Sequence, residues 1–328
     1  MGMRPRYVFL LLFVCWLAVI LATVGVGMFG ISFFDPAIFQ QLSLPRLMMG
    51  MLAGASLAVA GAMFQALFRN PLASPYTLGV SSGASLGAAV IFIFVGGGLW
   101  YGMPLVSLAA FAGALGCVTL VYAIAHSRGG HSVGTLLLAG IVIGMICSAL
   151  IVLVLFLAER HDLSAVLQWM MGSLEIVGFN PVNEALAMIA LAGGLAAYLH
   201  RDLDLLMMGE TVAAGRGVPV RQTRALIYFS ASLLTAGIVA HCGPIGFVGL
   251  LIPHIMRFLV GPSHRYLLPA CALAGAAFLP LCDLLARNAM WWLRGESRQM
   301  PVGVLTNLVG GGFFIYLLLT RRDDRSGL

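Results

Sequence analysis

The segment LPRLMMGMLAGASLAVAGAMFQALFRNPLASPYTLGVSSGASLGAA, from Leu44 to Ala89, decides the architecture. No charged residue interrupts it between Leu47 and Leu67, and about 20 apolar residues are what one helical crossing of a bilayer needs. A barrel strand crosses in about 9–11 residues, so this run reads as a helix whose backbone groups bond one another in hydrocarbon. Gly50, Gly54, Ala58 and Ala62 recur every four residues and line one face with small side chains, where a neighbouring helix can approach closely. That face either packs permanently or slides during function. Arg69, Asn70 and Pro71 end the run, and the Gly-rich stretch that follows, with Gly83 and Gly87, begins a second crossing.

The rest of the chain has the same character. Its 328 residues are 61% hydrophobic and 9% charged, with a mean hydropathy of +1.00, whereas soluble domains carry about 25% charged residues. A soluble globular fold is excluded. Apolar runs near 7–29, 47–67, 77–97, 104–125, 134–157, 182–199, 225–241, 244–260, 267–286 and 302–320 predict ten crossing helices. The expected fold is all-α and polytopic, a single transmembrane domain over residues 1–328. The first run follows the basic Met1–Arg6 segment but is long enough to span, so it reads as an uncleaved helix.

Ten spans put both termini on one side, and the arginines choose that side. With cytoplasmic termini, only Arg46, Arg160, Arg287, Arg294 and Arg298 fall outside, as the positive-inside rule requires. The longest polar stretch, about 200–224, then becomes a cytoplasmic loop with short amphipathic helices. Ala158 to Pro181 holds a segment too short to span, read as an interfacial helix with Trp169 at the headgroups. The two Pro-broken crossings, after residue 67 and after residue 245, hint at an internal repeat.

Composition removes several chemistries. All eighteen basic residues are arginine, so there is neither a P-loop lysine nor a Schiff-base lysine, and any ATP must be bound and hydrolysed by another chain. The six cysteines lie mostly in apolar runs without metal-ligand spacing and read as packing residues. No histidine pair has helical metal-site spacing, and the methionine pairs read as packing filler, so neither a catalytic site nor a metal site is expected. Asp202 and Asp204 read as a solvated face, and nucleic-acid binding finds no support. Glu184, Asp283, Arg257 and Arg69 lie near predicted helix ends rather than mid-membrane, which weakens an ion-coupled carrier. His254 follows Pro253, and either bonds a carbonyl freed by that proline or touches substrate.

Several stretches together resemble the FecCD-type permeases of bacterial importers for ferric siderophores, haem and cobalamin. They are the quoted segment from Leu44, LLLAGIVIGMICSAL from Leu136, QWMMGSL from Gln168, LLMMGETVAAGRGV from Leu205, GPIGFVGLLIPHIMRFLVGPSHRYLLP from Gly243, and MPVGVLTNLVGGGFFIYLL from Met300. Asn70, Pro71, Gly246, Pro253, His254, Pro301 and Gly303 sit on the matching structural motifs.

The resemblance implies a type II ABC importer permease fold in the bacterial inner membrane. It also implies a second copy of the chain, two cytoplasmic ABC ATPase subunits carrying ATP and Mg, and a periplasmic substrate-binding protein delivering a metal chelate. No cofactor is implied for this chain itself. The coupling segment would include Leu205, Leu206, Gly209, Glu210, Ala214 and Gly217. Arg46 and Arg287 would dock the binding protein, although Arg46 could equally snorkel at the interface. Ser132, Val133, Gly134 and Thr135 would form a cytoplasmic gate on a pathway lined by the fifth and tenth spans. Ferric siderophore is the leading expected cargo, with cobalamin and haem behind it.

Overall fold

The computed structural model describes residues 5–28, 39–96, 98–100, 103–127, 133–158, 160–295 and 299–323. Its helices in chain order are α1 (Pro5–Met28), α2 (Leu44–Leu67), α3 (Val80–Phe94), α4 (Leu105–Ser127), α5 (Val133–Phe156), α6 (Arg160–Met170) and α7 (Asn180–Tyr198). There follow α8 (His200–Met208), α9 (Glu210–Gly215), α10 (Val220–Cys242), α11 (Val248–Val260), α12 (His264–Arg294) and α13 (Val302–Asp323). A two-stranded antiparallel hairpin, Leu99–Trp100 with Met103–Pro104, joins α3 to α4.

Each of the ten predicted spans lies under a helix. Among the described residues, eight helices are long and apolar enough to cross a membrane by themselves. The remaining two, α3 and α11, have 15 and 13 residues. At 1.5 Å per residue, 13 residues reach only about 20 Å, short of the roughly 30 Å hydrocarbon core. Each is preceded by non-helical chain: a 3-10 turn at Pro75–Leu78 before α3, and the segment from Gly243 to Phe247 before α11. Irregular backbone at membrane depth persists only where protein surrounds it. Here Pro75 of the first segment packs on Gly249, in the first turn of α11.

The centre of the bundle is α2. Every residue from Ser56 to Phe68 is buried, which suits a helix that is apolar all round. Its main neighbours are α12, α10, α11 and α7. The small-residue face read from the sequence is where two of them approach. Gly54 meets the backbone of Gly275 on α12, and Gly61 meets Gly249 on α11, so closely that a methyl group at any of the four would overlap main-chain atoms. Without an appreciable hydrophobic force between helices in lipid, such backbone contact supplies the packing energy. By contrast α1 and α13 keep large apolar side chains exposed along much of their length, as lipid or another apolar surface requires.

The predicted interfacial segment is the short amphipathic helix α6, and the predicted loop helices are α8 and α9. Five of the six cysteines are buried, in keeping with their reading as packing residues.

Candidate functional site

At one end of α2, the chain from His200 to Arg224 folds into a bracket. Two short helices, α8 and α9, are separated by Gly209, whose φ of 121° and ψ of 153° suit glycine alone. Leu203, Leu206 and Ala213 turn inward and are buried. Outward go Met207, Met208, Val212, Ala214 and Gly217, with Met208 69% exposed. Of the residues predicted for coupling, Leu206 is thus an anchor, Ala214 and Gly217 lie on the outer surface, and Leu205 and Gly209 are half-buried between them. Met208 and Val212 lie inside the predicted coupling stretch but are not singled out in it, because methionine pairs in an apolar chain look like filler. Their position after an amphipathic turn was the available signal.

Glu210, which opens α9, ties the bracket to two other parts of the molecule. Its carboxylate Oε1 accepts from Arg224 in the first turns of α10 and from Arg69 Nη2 at 3.4 Å. Arg69 itself stands just past α2 with a φ of 48°, a conformation uncommon for a residue with a side chain. A second tie holds α8. Asp204 Oδ1 accepts from the His264 backbone N–H at 2.8 Å and lies 2.6 Å from His264 Nδ1, while Ser263 Oγ donates to Oδ2 at 3.1 Å. Burial alone pushes the Asp204 carboxyl up, but these bonds outweigh it and hold the pKa below the usual carboxylate range. Asp204 is therefore an anchor for the N-terminus of α12, not the solvated charge that its sequence surroundings suggest.

At the opposite end of α2, the two predicted docking arginines converge on one carboxylate. Arg46 grips Asp283 through Nη2–Oδ1 at 2.8 Å and Nε–Oδ2 at 3.0 Å, and donates from Nη1 to Gln299 Oε1 at 2.9 Å. Arg287, one turn beyond Asp283 on α12, places Nε 3.2 Å from Oδ2, at ion-pair distance. The Asp283 side chain is 5% exposed, against 14% for Arg46 and 20% for Arg287. Two guanidinium groups around one carboxylate leave a net positive charge partly accessible at this end.

Of the predicted gate, Ser132 lies outside the described residues, while Val133, Gly134 and Thr135 form the first turn of α5. Further along α5, Gly140, Gly144 and Ser148 face Tyr76, Thr77 and Ser82 across a cleft of about 380 Å3. Ile141 and Met145 complete its lining.

The motif residues occupy turns and close contacts. Asn70 Oδ1 accepts from the Leu72 N–H at 2.9 Å, closing the turn at Pro71. A side chain at Gly246 would strike Asn307, and one at Gly303 would strike the Met171 carbonyl. Pro301 accepts at its carbonyl from Val304 N–H as α13 begins. Pro253 lies inside α11, and the His254 ring stands among Phe258, Phe313 and Phe314 at centroid distances of 5.2 to 6.1 Å. Among the described residues, no three His, Cys, Asp or Glu side chains gather to hold a metal ion.

An all-helical bundle of ten crossing segments, with a helical bracket at one end and a small-residue cleft alongside, defines an integral-membrane permease of the type II ABC importer fold. The chain belongs to the FecCD transport family, whose family-wide sequence model matches residues 7–320. It is 38% identical over 311 residues to the cobalamin import system permease protein BtuC of Halobacterium salinarum, covering 93% of this chain and 80% of that one. It is 37% identical over 296 residues to the hemin transport system permease protein HmuU of Yersinia pestis, covering 88% and 85%. A solved structure of an inward-facing metal-chelate type ABC transporter superposes with a TM-score of 0.85 at 29% identity, covering 96% of this chain and 99% of that chain.

Proposed function

We propose that this chain is the membrane-spanning subunit of an ATP-binding-cassette importer that carries a metal chelate from the periplasm to the cytoplasm. A single transmembrane domain would work as two copies, with two cytoplasmic ATPase subunits and a periplasmic binding protein. ATP and Mg belong to the ATPase, and this chain holds neither cofactor nor catalytic residue. The bracket at α8–α9 carries the reading. It exposes Met208 and Val212 at the end where the arginines predict cytoplasm, while Glu210 and Asp204 fasten it to α2, α10 and α12. A surface both apolar and anchored in this way suits transmission of force from a partner.

In this reading the protein lies in the inner membrane with both termini cytoplasmic. ATP binding draws the ATPases together, moves the bracket, and switches access to the cleft beside α5, with the Val133–Thr135 turn as its cytoplasmic gate. Net positive charge at Arg46 and Arg287 orients an acidic binding protein on the outer face. The similar proteins named above transport cobalamin and hemin, so a macrocyclic chelate leads as the cargo. Ferric siderophore, the expectation from the sequence, is the competing cargo.

Proteoliposomes holding this chain with its ATPase and binding protein should take up one of cobalamin, haem or ferric siderophore only with ATP on the ATPase side. Met208→Asp should abolish ATP-driven uptake while leaving the chain folded. Uptake driven by an ion gradient without ATPase would overturn the proposal.

A further inference from the structure

Helices α7 and α12 both pack on α2 yet scarcely touch each other. The gap between them is a half-open cavity of about 450 Å3, within the range of about 300–1,000 Å3 typical of sites for small organic ligands. Small or compact residues create it, among them Gly193 and Ala196 on α7 and Pro269 and Ala272 on α12. A methyl group at Gly193 would meet no atom within 4 Å. This space is separate from the cleft beside α5.

One end of the cavity is polar, and it lies on the side of the α8–α9 bracket. His200, His264 and Arg265 line it. Arg265 is exposed, rests 5.7 Å from the centroid of the Tyr266 ring, and makes no ion pair among the described residues. His264 is 1% exposed: its Nδ1 faces Asp204, but its Nε2 is buried without a hydrogen-bond partner. Ser56, also 1% exposed and on the floor of the cavity, has an equally orphaned Oγ. Both atoms are themselves covered, so what the cavity offers a ligand is its apolar wall and the Arg265 guanidinium at the polar end. Apolar walls with the Arg265 guanidinium at one end select an amphiphile that carries a negative head.

We propose that this cavity binds one anionic glycerophospholipid from the cytoplasmic leaflet. One of its two acyl chains lies between α7 and α12, its phosphate meets Arg265 and His200, and the glycerol region packs over His264. Anionic lipids are concentrated in that leaflet and attract basic residues near its surface. Because His264 also holds Asp204, the bound lipid braces the anchor of α8. The inference takes from the preceding reading only the cytoplasmic placement of the bracket.

Native mass spectrometry of the purified, delipidated chain, titrated with phosphatidylglycerol and with phosphatidylcholine of the same acyl composition, tests this. One phosphatidylglycerol should be retained per chain, at about a tenfold lower concentration than phosphatidylcholine. Gly193→Leu and Ala272→Leu, which fill the cavity from different helices, should each abolish retention at unchanged Tm. Arg265→Glu, on the surface, should remove the headgroup preference, and Arg216→Glu should leave it intact. Equal retention of the two lipids, retention unaltered in either well-folded cavity-filling variant, or complete displacement by glycerol phosphate lacking acyl chains would overturn the proposal. The last result would assign the polar end to a free phosphate compound instead. Failure of ATP-driven uptake would leave the lipid measurement unaffected.

Discussion

Arg46 and Asp283, 237 residues apart in the chain, are joined by two parallel hydrogen bonds, Nη2 to Oδ1 at 2.8 Å and Nε to Oδ2 at 3.0 Å. The pair fastens the start of α2 to the middle of α12, the two helices that share the backbone contact at Gly54 and Gly275. Charge pairing at the helix ends and glycine packing in the interior thus hold the same interface.

Removing the carboxylate should cost more than removing either arginine. Asp283→Asn leaves two guanidinium groups facing each other in a site where Asp283 is 5% exposed, and loss of one partner of such a pair costs about 3 kcal/mol. Arg287→Gln should cost less, since Arg287 is more exposed and its ion pair is single. Thermal unfolding in detergent, ranked Asp283→Asn below Arg287→Gln below wild type, checks the order. Equal Tm values for the two variants would contradict it.

Glu210 binds two arginines of unequal burial. The Arg69 side chain is 44% exposed and that of Arg224 is 12% exposed. Exposed pairs contribute roughly 0–1 kcal/mol, so Arg69→Gln should leave both stability and ATP-driven uptake nearly unchanged. Arg224→Gln should loosen the bracket, seen as uptake falling several-fold while ATP hydrolysis by the assembled importer continues. A double-mutant cycle of Glu210→Gln with Arg224→Gln should show strong non-additivity.

Small residues at the α2 contacts are required by space. Gly54→Val and Gly61→Val each force a side chain into the main chain of a neighbouring helix, and overpacking of this kind costs at least about 1–3 kcal/mol. Gly116, on the exposed side of α4 with nothing within 4 Å, is the control. Its replacement by alanine should stabilise by about 0.5–1 kcal/mol, the ordinary helical preference. The yield of folded protein and its Tm, measured across the three variants, separate the cases.

Asp204 makes stability acid-sensitive. Its carboxyl titrates below its ordinary range when folded, despite burial, because His264 and Ser263 bond the charged form. A group whose pKa is lowered by folding contributes stability above its unfolded value, about 3.9. That contribution is lost as the pH falls through the folded value. Unfolding temperatures followed from neutral pH down through that window should fall more steeply in wild type than in Asp204→Asn, which lacks the contribution at every pH. Parallel curves would remove Asp204 from the account.

The fold was largely legible because each crossing must satisfy its own backbone and bury its own apolar length, both properties of a local run. Hence the ten spans, the α8–α9 bracket and the short helix α6 fall where hydropathy and Pro, Gly and Arg breaks put them. Legible too was the small-residue face of α2, although the residues opposite it were not: Gly275 and Gly249 lie far along the chain, and nothing local pairs them with that face. Arg46 and Arg287 stood out as outward-facing charges; the i, i+4 spacing of Asp283 and Arg287 is local, but nothing near Arg46 announced that Asp283 would receive it as well. Asp204 looked solvated because its neighbours in the chain are polar. His264, its actual partner, comes from another helix.

What the sequence determined by itself was therefore everything set by length, polarity and period along a single segment: the membrane environment, the helical class, the number of crossings and the lack of any P-loop lysine. Only the tertiary structure decided which charges neutralise each other, which methionines reach the surface, and where a cavity opens between α7 and α12. Those outcomes depend on distances between segments remote in sequence. In a chain built almost wholly of apolar helices, many pairings would satisfy the hydropathy pattern equally well. Backbone contact at a few glycines and ion pairs at the helix ends select among them.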